Sequence, residues 1–200
     1  MQDYQSRQVS TGWPNQVLVE ERTRVEEIES YLANVIEELT SFIHVFSDGI
    51  DLQSTYDLLD QHLPDGPVAG QKNILIDDIL RLTKLFEATT KSGNIKLQLE
   101  IVTTDMCRLF HVDHYRQRLL CTYFGPGTEW LDHSNVERSA LGGGDNNRIV
   151  KDANAINRAN TFDVLFLKGK KYGEGELAVV HRSPPIMHQN KTRVLLKIDE

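Results

Sequence analysis

Ile95-Lys96-Leu97-Gln98-Leu99-Glu100-Ile101 is where the chain changes period. Four aliphatic residues alternate with three polar ones, which predicts a strand with one face in a core. Before this stretch the apolar residues repeat at helical spacing. Thr23-Arg24-Val25-Glu26 has the form of a capping box, and Ile28, Leu32, Val35, Ile36 and Leu39 follow on one face. A short helix is expected over 54–62, stopped by Leu63-Pro64-Asp65-Gly66-Pro67. A longer helix is expected over 75–89, with Ile79, Leu82 and Phe86 facing one way and Lys91-Ser92-Gly93 ending it. Beyond the change of period, strands are expected at 118–123, 162–168, 177–180 and 193–198, and 17–19 adds one near the start. The segment 132–160, with Gly142-Gly143-Gly144 and several Asn, reads as a long loop of the kind that is functional or disordered. Helices first and strands after predict an α+β protein, with helices packed outside an antiparallel barrel or sandwich.

The bulk properties narrow the function classes. Two hundred residues suit one domain over 17–200, helical to about residue 93 and β from 94 onward, after a polar flexible tail at 1–16. A net charge of −7 argues against general nucleic-acid binding. No apolar run approaches the ~20 residues of a membrane span, and the first residues have no apolar signal core. A cytoplasmic protein is therefore expected, and its two cysteines, Cys107 and Cys121, suit free thiols in a reducing compartment.

The strand-rich half carries a chemical pattern: His111-Val112-Asp113, then His181-Arg182-Ser183-Pro184-Pro185. Two imidazoles and a carboxylate are the ligand set that holds Fe(II) on one face and leaves positions open for substrate and O₂. With 7 His in the chain the His-x-Asp spacing alone is not rare, so context matters. Residues two apart in an extended segment point to the same side, so His111 and Asp113 can share a target. His181 follows the apolar run Leu177-Ala178-Val179-Val180, where a polar residue needs a partner or a metal. A rival site combines the thiols of Cys107 and Cys121 with His111 or His114 around zinc, although no Cys-x-x-Cys is present. His114, His133 and His188 read as surface or loop residues. Ser183 lacks the flanking glycines of a nucleophile elbow. Gly125-Pro126-Gly127 reads as a turn, with Glu129 and Trp130 after it at the mouth of a pocket.

Three blocks carry a family resemblance. The first is Cys107-Arg108-Leu109-Phe110-His111-Val112-Asp113, joined to the run from Arg118 through Gly125-Pro126-Gly127-Thr128-Glu129-Trp130 to Leu131. The others are Leu167-Lys168-Gly169 with His181-Arg182-Ser183-Pro184-Pro185, and the run from Arg193 to Asp199. Over roughly residues 17–199 the chain resembles a bacterial family of unknown function, number eighteen twenty-six among such domains. Its blocks are similar to those of the iron and 2-oxoglutarate oxygenases of the cupin superfamily. The resemblance implies a double-stranded β-helix, a cupin-like jelly roll, with the N-terminal helices packed outside it. It implies Fe(II), or another divalent metal such as zinc, on His111, Asp113 and His181, and 2-oxoglutarate as co-substrate. Arg193, in the strand after the distal His, is the implied carboxylate anchor. Arg118 is the alternative, with Tyr123 as a hydrogen-bond donor to the same acid. The implied activity is a dioxygenase acting on an unidentified small molecule or protein. The family's association with zinc limitation keeps a non-catalytic metal-homeostasis protein as the other reading. Neither reading fixes an oligomeric state.

Overall fold

The computed structural model describes residues 17–173, 178–189 and 191–200. The expected tail at 1–16 and Leu177, the first residue of one expected strand, lie outside the described residues. In chain order the elements are β1 (Val17–Glu20), α1 (Glu26–Val35), β2 (Phe42–Phe46), α2 (Leu52–His62), α3 (Gln71–Thr90) and β3 (Ile95–Val102). Then come β4 (Gln117–Phe124), β5 (Glu129–Leu131), α4 (Asn146–Ile149), β6 (Ile156–Arg158), β7 (Val164–Lys168), β8 (Val180–Arg182) and β9 (Arg193–Asp199). The α+β expectation holds: the strands form two antiparallel sheets, with the long helices on one side. None of the described helices is long and apolar enough to cross a membrane.

The larger sheet runs β1-β7-β4-β9-β3-β2 and the smaller runs β6-β5-β8. An antiparallel bridge from His111 to His181 adds the 111 segment to the β8 side of the smaller sheet. From β3 onward the chain passes between the sheets at most connections. β3, β4, β7 and β9 lie in the larger sheet, and the 111 segment, β5, β6 and β8 in the smaller.

β4 shows why the layers stack as they do. Its residues are buried on both faces. Leu119, Cys121 and Tyr123 join the core under the helices, with Ile28, Leu32, Leu75, Ile79, Leu82 and Phe86. Leu120 points the other way, into a second cluster between the sheets with Leu165, Leu167, Leu195, Trp130 and Val179. Phe110, Leu131, Val136, Ile149 and Val180 form a third cluster on the outer face of the smaller sheet. Area burial on this scale drives the stacking, at about 25 cal/mol per Å² of apolar surface.

Local details depart from the sequence expectation for identifiable reasons. The capping box at Thr23 does not form. α1 starts at Glu26 after Val25, whose side chain makes no cap; just before it the Arg22 backbone N–H donates to Asp163 and its guanidinium to Asp78 at 2.7 Å. Glu26, Glu27 and Glu29 complement the helix dipole instead. α2 begins earlier than expected because Asp51 caps it through the Ser54 N–H. β2 was not anticipated, although Phe42, His44 and Phe46 alternate on one face and Phe42 packs on His62 of α2 at 5.0 Å. The expected loop at 132–160 is built from short helical turns, α4 and β6, and it covers the third apolar cluster. The expected strand at 177–180 is shifted: β8 carries His181 within the sheet, not in the turn after it.

The smaller sheet is tied by one carboxylate. Glu129, almost fully buried, lies opposite Arg158 on one neighbour and Arg182 on the other. It accepts from Arg158 Nε at 2.7 Å and from Arg182 Nε at 2.6 Å. Arg158 is mostly exposed and Arg182 is not, so the two bonds differ in worth. Glu129→Gln should cost about 1.5–3 kcal/mol in urea unfolding, and Arg158→Ala less than about 1 kcal/mol. Equal losses would show that the buried half of the network carries no extra weight.

Candidate metal centre

His111, Asp113 and His181 meet between the sheets. One ligand atom from each lies within 4.8 Å of the others, and this is the one such group of His, Cys and carboxylates among the described residues. His181 Nε2 is 3.1 Å from Asp113 Oδ2, and His111 Nε2 is 3.7 Å from Asp113 Oδ1. The two imidazole centroids are 4.7 Å apart. The sheet produces this meeting. His111 and His181 exchange both backbone hydrogen bonds at 3.0 Å, so their side chains leave on the same face. Trp130 stands opposite His181 on β5 and fills the space between the sheets behind it.

Each ring is fixed by its other nitrogen. His111 Nδ1 lies 2.8 Å from the Leu109 carbonyl, and His181 Nδ1 lies 3.2 Å from that of Val179. A carbonyl can only accept, so both Nδ1 atoms carry the proton and both Nε2 atoms face Asp113. Backbone tethering of this kind fixes tautomer and orientation in histidine metal ligands. Burial and the neighbouring His181 push the His111 pKa down, towards the neutral form that ligates. Burial alone would raise the Asp113 carboxyl. When the His181 ring is protonated on both nitrogens its Nε2 donates to this carboxylate, and that bond with the charges of His181 and Arg118 instead holds it well below the usual carboxylate range.

Asp113 is also held through its backbone. Its carbonyl accepts from the Lys170 N–H at 2.9 Å. The Gly169 backbone lies so close that a Cβ there would sit 2.1 Å from the Tyr115 oxygen. Only glycine allows that approach.

The predicted anchors fall in three different places. Arg193 has no exposed surface and contacts Ser183 and Thr128, which line the cavity beside His111 and His181. It donates to Ser183 Oγ at 2.8 Å and to Thr122 and Thr128 hydroxyls at 3.2 Å each. Its Nε finds no partner, and no carboxylate pairs with it, among the described residues. Burial pushes its pKa down to about 10, against the pull of Glu100. Gly125, at φ +79°, belongs to the turn beside it, where a Cβ would meet the Thr192 oxygen at 2.4 Å. Arg118 lies within the cavity wall, but its donors are taken: Nη1 holds Asp113, and Nη2 donates to Asp199 at 3.0 Å. Its face stacks on Tyr115 at 4.4 Å.

Tyr123 is not brought to the site. Strand alternation turns it to the helix side, where its hydroxyl donates to Asp78 at 2.7 Å. The thiolate alternative fails for the same reason: Cys121 is buried under the helices while Cys107 is exposed at the cavity. Glu129 lines an outer cleft with Arg158 and Arg182, and Trp130 is packed in the core between the sheets, so this pair does not form a single mouth. Sequence reasoning missed Ser183, Thr122 and Thr128 as partners of Arg193, and Asp199 as the partner of Arg118. Strand alternation from Leu120 gave Thr122 its face, but nothing in the sequence pairs Asp199 with Arg118.

A cavity of about 50 Å³ lies at the centre, lined by His111, His181, Arg118, Thr128 and Ser183 among others. That is room for roughly four waters. Asp113→Ala removes the one anion of the triad. It should abolish retention of a divalent ion in elemental analysis, while the circular dichroism spectrum stays that of the parent. Unchanged metal content in the variant would remove Asp113 from the ligand set.

Comparisons with known proteins follow this geometry. No sequence among the curated proteins matches the chain. A solved structure of the dioxygenase for auxin oxidation 1 from Arabidopsis thaliana, in complex with 2-oxoglutarate, aligns at 12% identity and a TM-score of 0.47, covering 88% of this chain and 72% of that one. The Fe(II)/α-ketoglutarate-dependent dioxygenase TqaL aligns at 14% identity and 0.47, covering 92% and 82%. A bsmA homolog from Methylobium petroleophilum PM1 aligns at 14% and 0.40, covering 84% and 78%. At this level of likeness their activities remain statements about those proteins. The family model described as Protein of unknown function (DUF1826) matches residues 14–199, so the chain belongs to that family.

Proposed function

We propose that this protein binds one divalent metal ion, iron(II) in its working form, through His111, Asp113 and His181, and acts as a 2-oxoglutarate-type dioxygenase. The observation that carries this reading is the coexistence, in one interior, of a His-Asp-His cluster with a fully buried guanidinium that has no acid partner among the described residues. A buried cation is costly unless it is paired. Here three neutral hydroxyls only partly satisfy it, and the carboxylate of a bound acid completes the set. A protein that merely stored metal has no use for that expense, which favours the enzyme over the homeostasis reading.

The fold reading belongs with it. The alternation of strands between sheets, with orders β7-β4-β9-β3 and β6-β5-β8-111, supports a double-stranded β-helix with the metal residues at one end of the smaller sheet.

The residues present fit the ion. Both Nε2 lone pairs are free of backbone tethers, and the carboxylate is ionised. When bound, the iron with its 2-oxo acid supplies O₂ activation coupled to oxidative decarboxylation. The protein's own residues do the rest. The backbone tethers on Leu109 and Val179 hold the rings so that the Nε2 atoms stay aimed inward. Arg193 holds the far carboxylate of the co-substrate, with Ser183 and the two threonines fixing the fork. The apolar layer of Leu120, Leu165, Leu167 and Leu195 keeps bulk water away from that contact. The substrate is a small molecule or a protein side chain, and it reaches the ion from the Cys107 side of the cavity.

Anaerobic addition of 2-oxoglutarate to the Fe(II) protein should give a weak visible charge-transfer band, and air should then yield succinate. Arg193→Met should raise the half-saturating concentration of the acid by roughly 10- to 150-fold, the worth of a charge-assisted contact. The same substitution should raise the unfolding temperature of the ligand-free protein, because it removes a buried charge that no acid balances. Metal binding without band or succinate would retire the oxygenase and leave the metal-homeostasis reading.

A further inference from the structure

We infer that Arg118 and Asp199 form a neutral positioning clamp on Asp113, and that the clamp sets the metal affinity of the site. The inference rests on the metal-site reading above. Arg118 reaches from β4 between two carboxylates. It grips Asp199 through Nε and Nη2, and Asp113 Oδ2 through Nη1. Asp199 is 1% exposed and Arg118 8%, so the arrangement is shielded from screening by solvent. Tyr115 covers the guanidinium face at 4.4 Å, which leaves the fork no freedom to swing away.

The charges explain why an arginine is tolerated beside a metal ligand. A lone guanidinium on Asp113 repels an incoming divalent cation and competes with it for the carboxylate. Asp199 cancels that charge. The pair Arg118–Asp199 is neutral, so Asp113 presents its full charge to the ion while its Oδ2 stays fixed. Oδ1, on the His111 side, remains for ligation. Register makes this possible: Asp199 of β9 lies directly opposite Arg118 of β4. The backbone locks the same corner, since the Glu200 N–H donates to the Gln117 carbonyl at 3.2 Å and the Arg116 N–H to the Glu200 carbonyl at 3.3 Å. Arg118 is therefore a positioning residue, and Asp199 sets its effective charge without touching the ion.

Asp199→Asn tests this, because it exposes the Arg118 charge and leaves all three ligands intact. Metal-free wild type and variant are titrated with Zn(II) against a chromophoric chelator, and with Co(II) followed by its visible d–d spectrum. The variant should bind both ions at least about tenfold more weakly, with a changed Co(II) spectrum. Arg118→Met combined with Asp199→Asn removes both charges and spares the core an unpaired ion. That double variant should recover part of the Zn(II) affinity but keep the altered Co(II) spectrum, because the orientation of Asp113 stays unfixed. It also serves if Asp199→Asn alone does not fold. Affinity within twofold of wild type in Asp199→Asn, or wild-type affinity and spectrum in the double variant, overturns the clamp while leaving the metal site standing. Wild type that binds neither ion removes the metal site, and the clamp with it.

Discussion

Two-sided burial of β4 is the constraint on which the rest of the molecule depends. A strand that is covered on both faces must divide its side chains between two interiors. The helix-side set, Leu119, Cys121 and Tyr123, seals the sheet against α1 and α3. The opposite set, Arg118, Leu120 and Thr122, faces the smaller sheet, and two of these three are polar. The apolar member holds the sheets together. The polar members reach Asp113 and Arg193. Structure and chemistry are thus separated by one residue of strand phase, and a shift of one position would exchange them.

The same constraint explains what could be read from the sequence. The period change at Ile95 and the alternation of β3 fixed the α+β class, because half-buried strands and amphipathic helices write their exposure into the sequence. His111, Asp113 and His181 were legible as types and spacing, and the bridge between His111 and His181 supplies the convergence that spacing cannot. Tyr123 was misassigned because β4 has no exposed face, so no polar alternation marks which side is which. The β5 and β6 strands are three residues each, too short for a period to register. Asp199 was invisible as a functional residue because its meaning comes from a partner 81 positions away.

The interior between the sheets is unusually charged for its size. Asp113, Arg118, Asp199 and Arg193 sit within it or at its wall, and Glu100 with Lys197 form a further ion pair on the same sheet face. Arg118 and Asp199 cancel each other, and Asp113 is paired with the same guanidinium. Arg193 has no acid partner among the described residues. An interior normally expels such a group or neutralises it, and its retention against Ser183 and Thr128 of the cavity wall, held by hydroxyls that can donate as well as accept, marks the place where the molecule gives up stability.

The order of strands has a consequence for how the molecule comes to exist. β9 is the last strand described, yet it lies in the middle of the larger sheet, between β4 and β3. As a chain grows from its N-terminus, β3 and β4 emerge early and face each other across a strand's width with nothing to join them. Without β9 each of them has an unpaired row of amides along that gap. Completing the larger sheet therefore means placing β9 between two strands far earlier in the sequence, a closure of long range and slow by topology. Until it occurs the nascent protein offers two open edges, the form in which a chaperone holds it or a second chain captures it.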